Sequence, residues 1–378
     1  MFNMSFSRFL CVVLTSVCVL AVTACASGTT APKPVALEPT PTLLGVRQVW
    51  SAQLGSFNLP LQLKATGKTV AVASTIGQLA VIHADSGKEL WRVDVGAPLS
   101  AGVGSDGRFA AVVTRENELV VFEQGLHPWR VRLNAQVFTA PLVAGERVFV
   151  LAADSSLTAF DAKNGQELWR NQRSSAALVL RQAGVLTAVG NTLIAGYSGH
   201  LVGMNPLNGN VIWDAPVATP RGTNDIERLV DMVSGAARQS VVLCVRAFQS
   251  GVGCVDTQRG QLNWKKSANG SLGLDGDAHQ VYGVESDGQV VAWRQTDGEV
   301  AWKSDRLRYH QLSAPLVLGR SVVVGDESGL VHLLSRTDGT FTARLTTDGS
   351  PILTTPVAAD GTLVVATSKG GIFGFRPE

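Results

Sequence analysis

Charge is scarce in this 378-residue chain: 16% of residues are Asp, Glu, Lys or Arg and the net charge is +2, against roughly a quarter charged in an average soluble protein. With no excess of either sign there is no basic surface for nucleic acid, and no nucleic-acid partner is expected. No apolar run reaches the roughly 20 residues that a spanning helix needs. The five cysteines include no Cys-Cys pair and no CxxC. His83, His127, His200, His279, His310 and His332 stand singly, without metal-ligand spacing. Gly-x-Ser-x-Gly and P-loop patterns are missing, which removes two large enzyme classes. What is plentiful is apolar residues, 45%, and glycine, 39 residues without a collagen period. Such a chain can bury enough surface to order itself, and its glycines read as the many tight turns of an all-β protein with short strands.

The first residues read as an address. Arg8 precedes an apolar stretch at 9–22, about 14 residues long, followed by Thr23-Ala24-Cys25. That is too short to span a bilayer and has the layout of a secretory signal. Val22-Thr23-Ala24-Cys25 is similar to a bacterial lipobox, so residues 1–24 are expected to be removed and Cys25 to carry the lipid; ordinary signal cleavage nearby is the alternative. More than one acyl chain is needed for stable anchoring. In the sorting pattern this resembles, Ala26 favours the outer membrane. Residues 26–44 hold Pro32, Pro34, Pro39 and Pro41 with no apolar period, so 25–44 is expected to be a tether reaching up to roughly 60 Å at about 3 Å per residue. Cys244 and Cys254 remain after export, in apolar runs at 241–247 and 252–256 around a turn at 248–251. They are either joined or buried as free thiols, and the oxidising setting favours a disulfide.

The main signal is a repeat. Trp50, Trp91, Trp129, Trp169, Trp213, Trp264 and Trp302 are spaced by 41, 38, 40, 44, 51 and 38 residues. The last six each follow a glycine by four residues (Gly87, Gly125, Gly165, Gly209, Gly260, Gly298), and Gly339 is followed by Ala343 where a Trp would stand. Between successive Trp lie further apolar runs of about five residues divided by Gly, Asp, Asn and Ser turns. Pro98, Pro141, Pro315 and Pro356 sit at the head of leading strands, where a missing donor costs no ladder bond. Four short strands every 40 residues or so is the signature of a propeller blade. Eight third-strand runs are present but only seven fourth strands follow them. The orphan strand at 46–54, with Trp50, supplies the eighth. The fold expected for 45–378 is an all-β, eight-bladed β-propeller of four-stranded antiparallel blades, closed by pairing the N-terminal strand with the C-terminal blade. The repeated Trp are read as packing between blades rather than as ligand-stacking groups.

The stretch Ala159-Phe160-Asp161-Ala162-Lys163-Asn164-Gly165-Gln166-Glu167-Leu168-Trp169 resembles the repeat of pyrroloquinoline-quinone-type propellers. With the lipobox, the Pro-rich segment and eight blades, the whole chain resembles the lipoprotein family of the outer-membrane β-barrel assembly machinery. That resemblance implies a non-enzymatic scaffold, lipid-anchored on the periplasmic face of the outer membrane, which binds a POTRA domain of BamA and supports insertion of outer-membrane proteins. Holding unfolded outer-membrane precursors is a further implied role. The docking surface it implies is carried by two irregular connections, one with Leu178-Val179-Leu180-Arg181 and a long one from Arg221 to Asp231; the matching positions are Leu178, Leu180, Arg181 and Asp231. Relatives often have a second Asp two residues beyond Asp231, where this chain has Val233.

Two other classes are weighed against this. A periplasmic quinone-dependent dehydrogenase would need a carboxylate base and Ca²⁺ ligands in the central funnel. Here Asp85, Asp161, Asp256, Asp297 and Asp338 fall in repeat turns, where local hydrogen bonding explains them. His310 is expected to be a solvated loop residue. A sugar-binding propeller would need exposed aromatic platforms, and beyond the packing Trp only Tyr197, Tyr282 and Tyr309 remain. No catalytic residue, metal or cofactor is assigned.

Overall fold

In the computed structural model the described residues are 32–40, 43–57, 61–174, 178–220, 223–224 and 228–378. The expected signal at 1–24 and Cys25 lie outside them, as do Arg221, Gly222, Asp225, Ile226 and Glu227 of the long connection. One compact body runs from Val35 to Glu378. Its strands form eight four-stranded antiparallel sheets. Seven are built from consecutive strands, over 64–94, 99–132, 142–172, 186–216, 232–267, 274–304 and 316–346, here blades 1 to 7. Blade 8 takes Val357–Ala359, Thr362–Ala366 and Gly371–Pro377 from the end of the chain and Val46–Gln53 from its beginning. Val46 lies opposite Pro377 and Gln53 opposite Gly371, so the ring closes by pairing the two ends of the chain.

The strand sequences explain the architecture. In each blade the middle strands are apolar on both faces, as in Thr69–Ala73 and Gln78–His83, because each sheet is sandwiched between two others. Outer strands such as Glu89–Asp94 alternate exposed and half-buried residues, since only one face is covered. The cores therefore lie between blades. Phe149, Leu151, Leu157 and Ala159 of blade 3, for example, pack on Leu193, Ala195, Tyr197, Val202 and Met204 of blade 4. Pro98, Pro141, Pro315 and Pro356 stand one residue ahead of the first strands that begin at Leu99, Leu142, Leu316 and Val357, where no sheet partner needs their missing N–H. Cys244 and Cys254 are directly opposite on neighbouring strands of blade 5 and form a disulfide.

Each repeated Trp reaches across to the next blade. Trp169 of blade 3 covers Gly209 of blade 4, where a β-carbon would lie 2.5 Å from the indole Cε3. Gly209 also has φ +72°, so both the backbone and the contact exclude a side chain. Trp50, Trp91, Trp129, Trp213, Trp264 and Trp302 cover Gly87, Gly125, Gly165, Gly260, Gly298 and Gly339 in the same way. Trp50, Trp129, Trp169, Trp264 and Trp302 also donate their indole N–H, at 2.8–3.0 Å, to the carbonyl three residues before that glycine. A buried polar edge is thereby satisfied while the ring is packed.

The departure at Ala343 has a structural cause. Ala343 lies on the outer strand of blade 7 and faces blade 8, whose third and fourth strands come from opposite ends of the chain. No tight turn joins them, so the positive-φ turn glycine that an indole covers elsewhere is missing, and Gly45, ahead of the fourth strand, is met by Glu378 instead. Leu44 and Val46 pack instead beside Ala343, Leu345 and Phe375.

Two stability outcomes follow. Trp169→Ala should cost about 3–5 kcal/mol, the usual range for emptying an aromatic site, read as a lowered denaturation midpoint with the native fold retained. Ala343→Trp, which restores the repeat in sequence, should destabilise by about 1–3 kcal/mol through overpacking; a rise in midpoint would contradict the account of Ala343.

Candidate functional site

The connections on either side of blade 4 break the regular pattern. Blade 1 passes into blade 2 between Asp94 and Leu99, whereas the chain takes from Gln172 to Leu186 to enter blade 4 and from Pro216 to Met232 to enter blade 5. Leu178 is 41% exposed. Arg181 is exposed, and its guanidinium has no partner among the described residues. Leu180 is half-buried, and its backbone N–H donates to Asp231 Oδ2 at 2.8 Å. The structure thus brings these four residues together, in two different roles. Leu178 and Arg181 face solvent, while the half-buried Asp231 holds the segment that carries them.

The support is built from the backbone outward. The Asp231 carbonyl accepts the Phe248 N–H at 2.9 Å, fixing that residue to a turn of blade 5. Ala183 accepts the Ser234 N–H at 2.8 Å, and Gly184 bridges to Val233 in antiparallel fashion. Thr139 Oγ1 accepts the Gly184 N–H at 2.9 Å, and Gln182 Nε2 donates to the Ser271 carbonyl at 2.7 Å, reaching the connection from blade 5 into blade 6. Segment 178–185 is therefore stitched along the entry to blade 5 at several points. Val233 is buried under this bridge, so a carboxylate there would lose its water. Burial pushes the Asp231 carboxyl above its usual range, and the Leu180 N–H pulls it back. Beside it is a cavity of about 60 Å³ lined in part by Leu180, Tyr197 and Asp231, room for a few waters rather than a ligand.

At the ring axis the described residues form a small polar space. A cavity of about 30 Å³ is lined by Gln62, Gln182, Ser234 and Thr354 among other uncharged residues, and Gln62 Nε2 donates to Ser234 Oγ across it at 2.9 Å. A tricyclic quinone with Ca²⁺ does not fit a space of that size, and among the described residues no carboxylate lines it to ligate the ion or act as base. A roomier cleft of about 600 Å³ between blades 6 and 7 includes one acid, Asp277, which already accepts from Tyr282 at 3.0 Å and pairs with Arg336.

His310 differs from its expected place. Its side chain is only 7% exposed: Nδ1 lies 2.9 Å from Glu327 Oε1 and Nε2 donates to the Val35 carbonyl at 2.9 Å. Sequence reasoning missed it because both partners are far away in the chain. His310, Asp326 and Glu327 place ligand-type atoms within 4.8 Å of one another. Asp326 is already engaged by the Ser328 and Leu330 N–H groups and by His332, so this is a closed hydrogen-bond network. Among the tyrosines, Tyr197 and Tyr282 are buried in cores.

Asp231 is expected to act by position. Asp231→Ala should raise amide exchange at Leu180 by about 5- to 10-fold, the loss of one hydrogen bond of ~1 kcal/mol, while Asp231→Asn, which keeps an acceptor oxygen, should leave most of the protection; equal protection in both variants would contradict it.

The family model described as "Outer membrane protein assembly factor BamB" matches residues 75–304. The outer membrane protein assembly factor BamB of Burkholderia pseudomallei is 36% identical over 98% of this chain and 99% of its own length. Among solved structures, BamB from Moraxella catarrhalis superposes with a TM-score of 0.79 at 22% identity, covering 88% of this chain and 99% of that one. A quinohemoprotein alcohol dehydrogenase from Pseudomonas putida HK5 also superposes, with a TM-score of 0.66 at 13% identity, covering 88% and 76%, so the propeller by itself is shared across functions. A family match over most of the ring and a relative aligned from end to end place the chain in the outer membrane protein assembly factor BamB family.

Proposed function

We propose that the protein is a non-enzymatic scaffold lipoprotein of the outer-membrane β-barrel assembly complex. It is anchored through Cys25 at the periplasmic face of the outer membrane, after removal of residues 1–24, and docks on the POTRA region of BamA through the connections beside blade 4. The observation that carries this reading is the pairing of an outward Leu178 and an Arg181 without a partner among the described residues, on a segment that Asp231 holds in place. An apolar group beside a guanidinium is a compact anchor for a partner that offers a hydrophobic pocket and a carboxylate. Holding the segment before the partner arrives lowers the ordering cost of binding. Family membership supports the assembly role, and the axial cavity of about 30 Å³, whose lining among the described residues is uncharged, argues against a quinone-dependent dehydrogenase.

On this reading the ring is a rigid adaptor, and nothing in it moves a proton or breaks a bond. Unfolded outer-membrane precursors are served by the complex that it helps to hold together.

Arg181→Ala and Leu178→Asp should each weaken co-purification with BamA from solubilised membranes by roughly 30-fold or more, as for an interface residue worth about 2 kcal/mol. Thermal unfolding of both variants should match the parent, since neither side chain is part of a core. Full retention of BamA by both would move the interface elsewhere on the ring.

A further inference from the structure

The segment just before the ring is fastened to it. The Val35 N–H donates to the Arg308 carbonyl at 3.0 Å, and the Val35 carbonyl accepts from His310. Glu38 pairs with Arg306, and Leu37 packs against the core between blades 6 and 7. The Leu43 N–H donates to the Thr342 carbonyl at 2.9 Å, and Leu44 joins the core between blades 7 and 8 beside Ala343. Residues 35–40 and 43–44, expected as tether, are thus a strap on blade 7. Composition hid this, because Leu37, Leu43 and Leu44 are too few to show a period among the prolines.

The strap also decides from which face the chain leads back toward Cys25. In a blade of four antiparallel strands, the connections into the next blade and the turns between second and third strands lie at one end. The other two turns lie at the opposite end. Val35 sits on the connection from Ser304 to Leu316, beside Glu327 in a second-to-third turn. Leu178, Arg181 and Asp231 lie on connections of the same kind, hence on the same face. Leu43 is at the other face, next to the start of the outer strand Phe341–Thr346. Without the strap, the free chain would run from residue 25 to 45 and leave from the face opposite the docking connections. With it, ten residue steps separate Cys25 from Val35, a span of about 30 Å at ~3 Å per residue.

We propose that the strap sets the orientation of the ring on the bilayer: fastened to blade 7, it tethers the face bearing 178–181 and 228–231, and keeps the rim of that face within about 30 Å of the lipid. The partner suited to this surface is therefore a membrane-attached protein whose periplasmic part lies against the membrane-facing side of the ring. The proposal rests on the lipidation of Cys25.

The test uses the full-length lipidated protein in vesicles of outer-membrane phospholipid, with a photocrosslinking residue placed at Gln311 on the docking face or at Thr337 on the opposite face of blade 7. Gln311 is expected to capture lipid several-fold more than Thr337. Releasing the strap with His310→Ala and Arg306→Glu, in a protein whose unfolding still shows an intact ring, should remove or reverse that difference. Equal capture at both positions in the parent, or an unchanged preference after release, would overturn the proposal. Failure of the parent to float with the vesicles would overturn it for another reason, by removing the lipid anchor itself.

Discussion

The contact on which the structure depends is an indole of one blade lying over a glycine of the next. A four-stranded blade is apolar on both faces and cannot bury either alone, so its stability is borrowed from its neighbours. Trp169 on Gly209 shows how the junction is keyed: the ring covers a backbone that a β-carbon would block, and its N–H meets the Pro206 carbonyl at 3.0 Å. Repetition of that contact fixes the offset between successive blades. The axis is left as a narrow space crossed by Gln62 and Ser234.

Closure imposes a second constraint, and two irregularities share it as a cause. Because blade 8 joins the two ends of the chain, it lacks the tight turn that every other blade offers to its predecessor. Blade 7 therefore carries Ala343 instead of a tryptophan. The space so left is covered by Leu44 and Val46, and the chain continues outward as the strap held by Thr342, Arg306, Arg308 and His310. A gap in the repeat thus becomes the place where the N-terminal segment is attached.

The surface beside blade 4 uses the rigidity of the ring differently. Long connections are normally the mobile part of a fold. Here the 178–185 segment gives its polar groups to Thr139, Asp231, Ser234 and Ser271, which belong to blades 3, 5 and 6 or their connections. Leu178 and Arg181 face outward, without a side-chain partner among the described residues. Such a division between inward fixing groups and outward free groups is what a docking surface requires.

The amino-acid sequence alone determined the number of blades, their length and the closure, because the blades repeat a local pattern of apolar runs and turns, six of them with Gly-x-x-x-Trp, and local patterns are readable along a chain. Leu178, Leu180, Arg181 and Asp231 entered through a family resemblance, which marked them without saying what each one does. Only the tertiary structure decided that Asp231 lies inward and holds Leu180, that Val233 is buried against Gly184, that His310 is enclosed between Glu327 and Val35, and that residues 35–40 and 43–44 lie on the ring. The physical reason is distance along the chain: Leu180 and Asp231 are 51 residues apart, and His310 and Val35 are 275 apart. A hydrogen bond between single groups so remote leaves no periodic trace, and it exists only once the closed ring has brought its blades side by side.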